Sequence, residues 1–118
     1  MRSLALSEFP YEIQRLQLQV LEWSRYVQAL QDELDSIETG IEMFVAWDPQ
    51  ITEETQREAR RLQLHHQDPY LSTRLQLQSA SHQLQAAQIE LQLRTNQFTV
   101  AQIQARAHVA YLESAISA

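Results

Sequence analysis

From Leu6 to Phe44 a large apolar side chain recurs every three or four residues without interruption: Leu6, Phe9, Ile13, Leu16, Val20, Trp23, Val27, Leu30, Leu34, Ile37, Ile41 and Phe44. Alternating threes and fours make the heptad seam of a long helix that lies against another helix. Half-buried strands would need period-two runs of Val, Ile, Thr or aromatic residues, and none occurs. One Gly and three Pro in 118 residues leave little material for turns, so few and long elements follow. Leu, Gln, Ala and Glu dominate, and all are compatible with helix. The fold class is therefore all-α, and the length fits a single domain spanning residues 1–118.

Capping signals divide the chain into three helices. Ser7 is placed to cap the first, with Glu8 and Pro10 tolerated in its opening turn, so a helix over about residues 8–47 is predicted. That length is roughly 60 Å at 1.5 Å per residue, which predicts an elongated molecule. Gly40 costs about 1 kcal/mol against Ala inside a helix. The seam nevertheless keeps its phase through Ile41 and Phe44, so the helix is expected to continue. Asp48-Pro49 and Asp68-Pro69 each offer an N-cap carboxylate followed by Pro at a first helical position. Between them a short helix over about 50–66 carries a thin stripe of Ile51, Ala59 and Leu62, and reads as a bridging piece at one end of a hairpin. The last helix is expected over about 69–116.

That last helix carries two seams. One is Tyr70, Thr73, Leu77, Ala80, Leu84, Ala87, Leu91, Arg94, Phe98, Ala101, Ala105, His108, Leu112 and Ala115. The other is Ala86, Ile89, Leu93, Asn96, Val100, Ile103, Ala107 and Ala110. At about 100° per residue their centres lie roughly 160° apart, so the helix has neighbours on two sides. Ala at alternate positions of the first seam allows close approach to the first helix, whose Trp23, Leu30, Ile37 and Phe44 supply bulk opposite. An antiparallel hairpin satisfies that seam alone. The second seam predicts self-association through Ile89, Leu93, Asn96, Val100 and Ile103, giving a homodimer with a four-helix-type core. Asn96 would either sit within it as a polar residue that fixes register by meeting its symmetry mate, or simply face solvent.

Charge narrows the partners. The net charge of −6 divides as −5 over residues 1–47, −2 over 48–68 and +1 over 69–118, and all nine cations are Arg. An acidic, Lys-free chain is a poor general binder of phosphate backbones, so nucleic acid is not the expected partner. Arg57, Arg60 and Arg61, with His65, His66 and Arg74 nearby, form the one basic concentration, a candidate polyanion contact at the tip of the hairpin. Glu53, Glu54 and Glu58 stand within the same turns, and Glu54 with Arg57 or Glu58 with Arg61 has pairing distance on a helix. A self-neutralised helix is the favoured reading there.

Catalytic material is thin. There is no Cys, no glycine-rich phosphate loop, no HExxH or ExxH element, and no informative Ser, His and Asp spacing. His65 and His66 are adjacent and point about 100° apart. His82 and His108 read as surface or seam-edge residues. No enzyme activity, metal or cofactor is expected. Arg94 and His108, which interrupt the first seam, are expected to seek carboxylates on the first helix, with Glu22, Glu33 and Asp35 as candidates. Trp23 and Tyr26 are read as core packing, and Trp47 as a plug at the end of the bundle. The N-terminal stretch from Met1 to Ser7 is too short and too soon followed by Glu8 to read as a signal peptide, and no apolar run approaches the roughly 20 residues of a membrane span. A soluble cytoplasmic protein is the expectation.

The stretch Ile51-Thr52, Gln56-Arg57, Ala59-Arg60-Arg61 and Asp68-Pro69-Tyr70, with Leu93-Arg94 and Gln97-Phe98 further on, resembles small helical-hairpin proteins of uncharacterised function in cyanobacteria and phage-like gene neighbourhoods. The resemblance covers about half of the chain and implies a helical hairpin without known chemistry. The expected function is a structural or adaptor protein that works by helix-helix self-association and docks a protein partner. The alternative is a nucleic-acid accessory protein of a mobile element using Arg57, Arg60 and Arg61.

Overall fold

The computed structural model describes residues 4–117, so Met1 to Ser3, which entered the signal-peptide reading, and Ala118 lie outside the described residues. The chain is all-α. Its helices are α1 (Phe9–Trp47), α2 (Glu54–His65) and α3 (Tyr70–Ser117), with no strand among the described residues.

The entry to α1 differs from the expected Ser7 cap. A 3-10 turn, Leu6–Glu8, leads directly into the helix. Its amide-to-carbonyl bond runs from Glu8 to Ala5 (2.9 Å), and the Glu8 carboxylate accepts the Ala5 amide (3.2 Å). Glu8 thus satisfies the leading donor that Ser7 was expected to reach. α1 then runs unbroken through Gly40, flanked by one-turn Gln28–Asp32 and Gln31–Asp35 side-chain bonds of 2.9 Å.

Of the two Asp-Pro pairs, only the second caps a helix. Asp48 Oδ1 accepts the Gln50 amide (2.9 Å) and its carbonyl accepts the Ile51 amide (3.2 Å), which makes a local Asp turn instead. The start of α2 moves on to Glu54, because the Gln56 side-chain oxygen accepts the amides of Thr52 (3.0 Å) and Glu53 (3.2 Å). Asp68 Oδ1 does accept the Ser72 amide (3.1 Å) in the first turn of α3. The intervening Asp68–Pro69 peptide is cis.

The residues divide into two compact units, to both of which α1 and α3 contribute. In the first unit, residues 1–21 with 85–118, Phe9, Leu16 and Ala87 are buried. The Phe9 and Phe98 rings lie 5.4 Å apart, and Glu12 and Arg15 feel the charges of Arg94 and Glu90 respectively. Numbers rise along α1 as they fall along α3, so the two segments are antiparallel.

In the second unit, residues 22–84, Leu30, Ile41, Val45, Thr73 and Ala80 are buried. Arg61 reaches Glu42 and His65 reaches Glu38, so α2 runs antiparallel along the last turns of α1. Tyr70 opens α3 with its ring stacked 4.3 Å from that of His65. α2 is therefore a packed stretch of the returning chain, where a bridging piece was expected. The seam of α1 responds to this neighbour. It follows the predicted series to Ile41 and then steps four residues to Val45, 1% exposed, leaving Phe44 half exposed. The pairs at Glu38 and Glu42 turn the Ile41 and Val45 side inward along these turns.

Candidate interaction surfaces

Within the first unit, α3 has one covered face and one open face. Ala87 is buried, and Leu91, Phe98, Ala101 and Ala105 are half-buried, as the first seam predicts. On the opposite side Ile89, Leu93, Val100 and Ile103 are 70%, 45%, 52% and 58% exposed. Ala86, Asn96, Ala107 and Ala110 complete that stripe and are exposed as well. No charged residue occurs between Thr95 and Ala105, so the Val100 and Ile103 part of the stripe runs through uncharged Gln and Thr flanks, while Glu90 and Arg94 stand beside Ile89 and Leu93. Asn96 Oδ1 accepts Gln92 Nε2 (2.9 Å), which satisfies one side of its amide within the helix.

Two further apolar features were not read from the sequence. Tyr11, Leu18 and Leu21 on α1 are exposed on the side away from Phe9 and Leu16. Their spacing of seven and three was visible, but the stronger first seam masked it. From Arg106 to Ser117 every residue of α3 is exposed, including Val109, Tyr111, Leu112 and Ile116. His108, Leu112 and Ala115 thus leave the covered seam they were assigned to. With Phe98 opposite Phe9, the antiparallel register carries these residues past the start of α1.

The Arg cluster is internally engaged. Arg57 Nη1 donates to Glu54 (3.4 Å), and Arg61 donates to Glu54 (3.1 Å) and to Glu42 (2.9 Å). Arg60 Nη1 donates to Gln63 (2.6 Å), and its guanidinium lies 5.4 Å from the centre of the Phe44 ring. Arg61 and then Arg57 hold the Glu54 carboxyl below the usual carboxylate range, while Glu54 and Glu42 push the Arg61 guanidinium further up. Carboxylates from two helices thus neutralise Arg57 and Arg61, while Arg60 is held by an uncharged glutamine and an aromatic ring. Glu58, offered as a partner for Arg61, is replaced in that role by Glu54 and Glu42.

The remaining polar residues find local roles. His65 Nε2 lies 2.9 Å from Glu38 Oε2, which places the proton on Nε2, and His66 Nδ1 donates to the Leu62 carbonyl (2.7 Å). No group of three His, Asp or Glu suited to a metal ion occurs among the described residues. Arg94 donates from Nη1 to Gln97 (3.0 Å) and leaves its buried Nε without a partner. Its charge acts on Glu12, whose carboxyl is held below the usual range by Arg15 first and by Arg94 in addition. Arg94 makes no ion pair with the expected Glu22, Glu33 or Asp35, and His108 is exposed. Trp23 is half-buried, with the exposed Tyr26 ring edge-on at 6.0 Å. Trp47 is 77% exposed and plugs nothing, while Val45 is the side chain buried in these last turns of α1.

No helix among the described residues is long and apolar enough to cross a membrane. Compared with known protein families, curated proteins and solved structures, the chain matches none.

Proposed function

We propose that this chain is a non-enzymatic structural or adaptor protein that self-associates through α3 and uses the resulting assembly to dock a further protein. The observation that carries the reading is the stripe of Ile89, Leu93, Val100 and Ile103, exposed on the face of α3 opposite its covered seam. Each such side chain is worth about 1.5–3 kcal/mol when fully buried. Sparse charge along the flanks, Glu90 and Arg94 being of opposite sign, adds little repulsion between copies, and helix-period spacing suits a second helix as cover. A homodimer with two α3 helices at its centre meets these conditions, and the α1 stripe of Tyr11, Leu18 and Leu21 stays available to a protein partner.

The test is the double substitution Ile89→Asp and Ile103→Asp, followed by sedimentation equilibrium. Burying an unpaired carboxylate costs several kcal/mol, enough to separate a modest dimer. The substituted chain should sediment as a monomer with its helix content retained, since neither residue faces α1. An unaltered chain that is monomeric at about 100 μM, where even weak dimers with Kd in the micromolar range are populated, overturns the reading.

A further inference from the structure

Phe98 beside Phe9 fixes how far α1 covers α3, and every residue from Arg106 to Ser117 lies past that cover. The covered face does not turn polar there. Its seam through Phe98, Ala101 and Ala105 runs on at the same three- and four-residue spacing into Val109, Leu112 and Ile116, which are exposed. Beyond Arg94 the chain has only Arg106 and Glu113 among Arg, Lys, Asp and Glu. Seven residues apart, they stand on one flank of this stripe, within about 20° of each other around the helix. Neither has an ion pair or a side-chain hydrogen bond among the described residues. Between them lies a shallow groove of about 310 Å³, floored by Ala105, Val109 and Ala110.

We propose that this overhanging end of α3 pairs antiparallel with the same end of a second copy. The stripe complements itself in that direction. Setting Ala105 against Ile116 of the second copy also sets Val109 against its Leu112, so small meets large at the outer layers. Antiparallel seams bring like flanks together, and Arg106 of each copy then comes beside Glu113 of the other. Two charges without a partner in the single chain thus become two opposite-charge pairs. A parallel mate would run into α1, which occupies this face of α3 further back. An antiparallel mate lies instead along the line that α1 leaves free. The face is opposite the Ile89 to Ile103 stripe, so the two contacts do not compete and neither depends on the other. With about three turns a side, the contact falls short of the roughly 1,200 Å² of stable pairs, so by itself it is weak and transient. Where the stripe pair also forms, each copy has two different two-fold faces, and pairs join into a longer chain.

The chain has no Cys, so introduced thiols are unique, and disulfide formation traps a weak contact. Full chains carrying Ile89→Asp and Ile103→Asp serve as background, so that the stripe brings no copies together. One receives Ala105→Cys, the other Ile116→Cys, and the two are mixed and mildly oxidised. The mixed 105–116 dimer should form at least about tenfold faster than the 105–105 dimer. In the antiparallel register the two 105 positions stand eleven residues of rise apart, roughly 16 Å, which is beyond disulfide reach. Arg106→Glu in both chains, or Glu113→Arg in both, sets like charges together and should slow the 105–116 link at least about threefold. Arg106→Glu in one chain with Glu113→Arg in the other restores opposite pairs and should restore the rate. Equal rates for the 105–116 and 105–105 links overturn the proposal, as does a faster 105–105 link, which would mean a parallel mate. A 105–116 rate blind to the charge pattern overturns it too. Because the stripe is disabled throughout, none of these outcomes turns on whether α3 pairs through Ile89 and Ile103.

Discussion

Gly40 sits in an exposed stretch of α1 with helical neighbours on both sides, and a Cβ built there meets nothing within 4 Å. Glycine therefore contributes only its conformational freedom in the unfolded chain, and Gly40→Ala should stabilise by about 0.5–1 kcal/mol in a thermal or urea melt. Arg94 presents the opposite case, a guanidinium at a seam position with its buried Nε unpaired. Leaving such a donor unsatisfied costs about 1–3 kcal/mol, so Arg94→Met should raise the urea midpoint by an amount equivalent to about 1 kcal/mol. Its seam position was legible in the heptad spacing, but its partner was not. A three-four pattern repeats every seven residues, so several slips of α3 along α1 satisfy it equally, and the register found brings Arg94 near Glu12, not Glu22 or Glu33. Trp47 and Phe44 were misjudged for a related reason, since both readings assumed α3 as the neighbour where α2 stands.

At the scale of elements, the long helices were readable because many side chains repeat one message along them. α2 was not, because its docking rests on single pairs between elements whose register no periodicity reveals. Other pairs, within the helices, make the acid sensitivity of the chain predictable. Glu54, beside Arg61 and Arg57, and Glu12, beside Arg15 and Arg94, have carboxyls held below the usual range in the folded chain. The unfolded chain then takes up protons first as the solution is acidified through about pH 4.3. The stabilisation from these carboxyls is fully present above that range and is lost as pH falls through the lower folded values. Both carboxylates are solvent-accessible, so the effect is small. Glu54→Gln should therefore lose melting temperature less steeply than the unaltered chain between about pH 5 and pH 3.

For the molecule as a whole, self-association ties stability to concentration. If α3 pairs with its counterpart, the melting temperature should climb as protein concentration is raised tenfold, and Ile89→Asp with Ile103→Asp should flatten that dependence. The open stripe on α3 was foreseeable because its spacing is as regular as that of the covered seam. The exposed end of α3 was not, since only the register of Phe9 against Phe98 shows where α1 stops covering it. That register also bears on the order in which the chain assembles. Contacts between α2 and α1 close loops of 19 and 27 residues, whereas Phe9 finds Phe98 across a gap several times longer. Loop-closure entropy rises with length, so the short loops around α2 form first and the aromatic pair joins near the end of folding. On a ribosome the same order holds for a plainer reason. Phe9 waits for Phe98 to be synthesised, while α1 and α2 have already met.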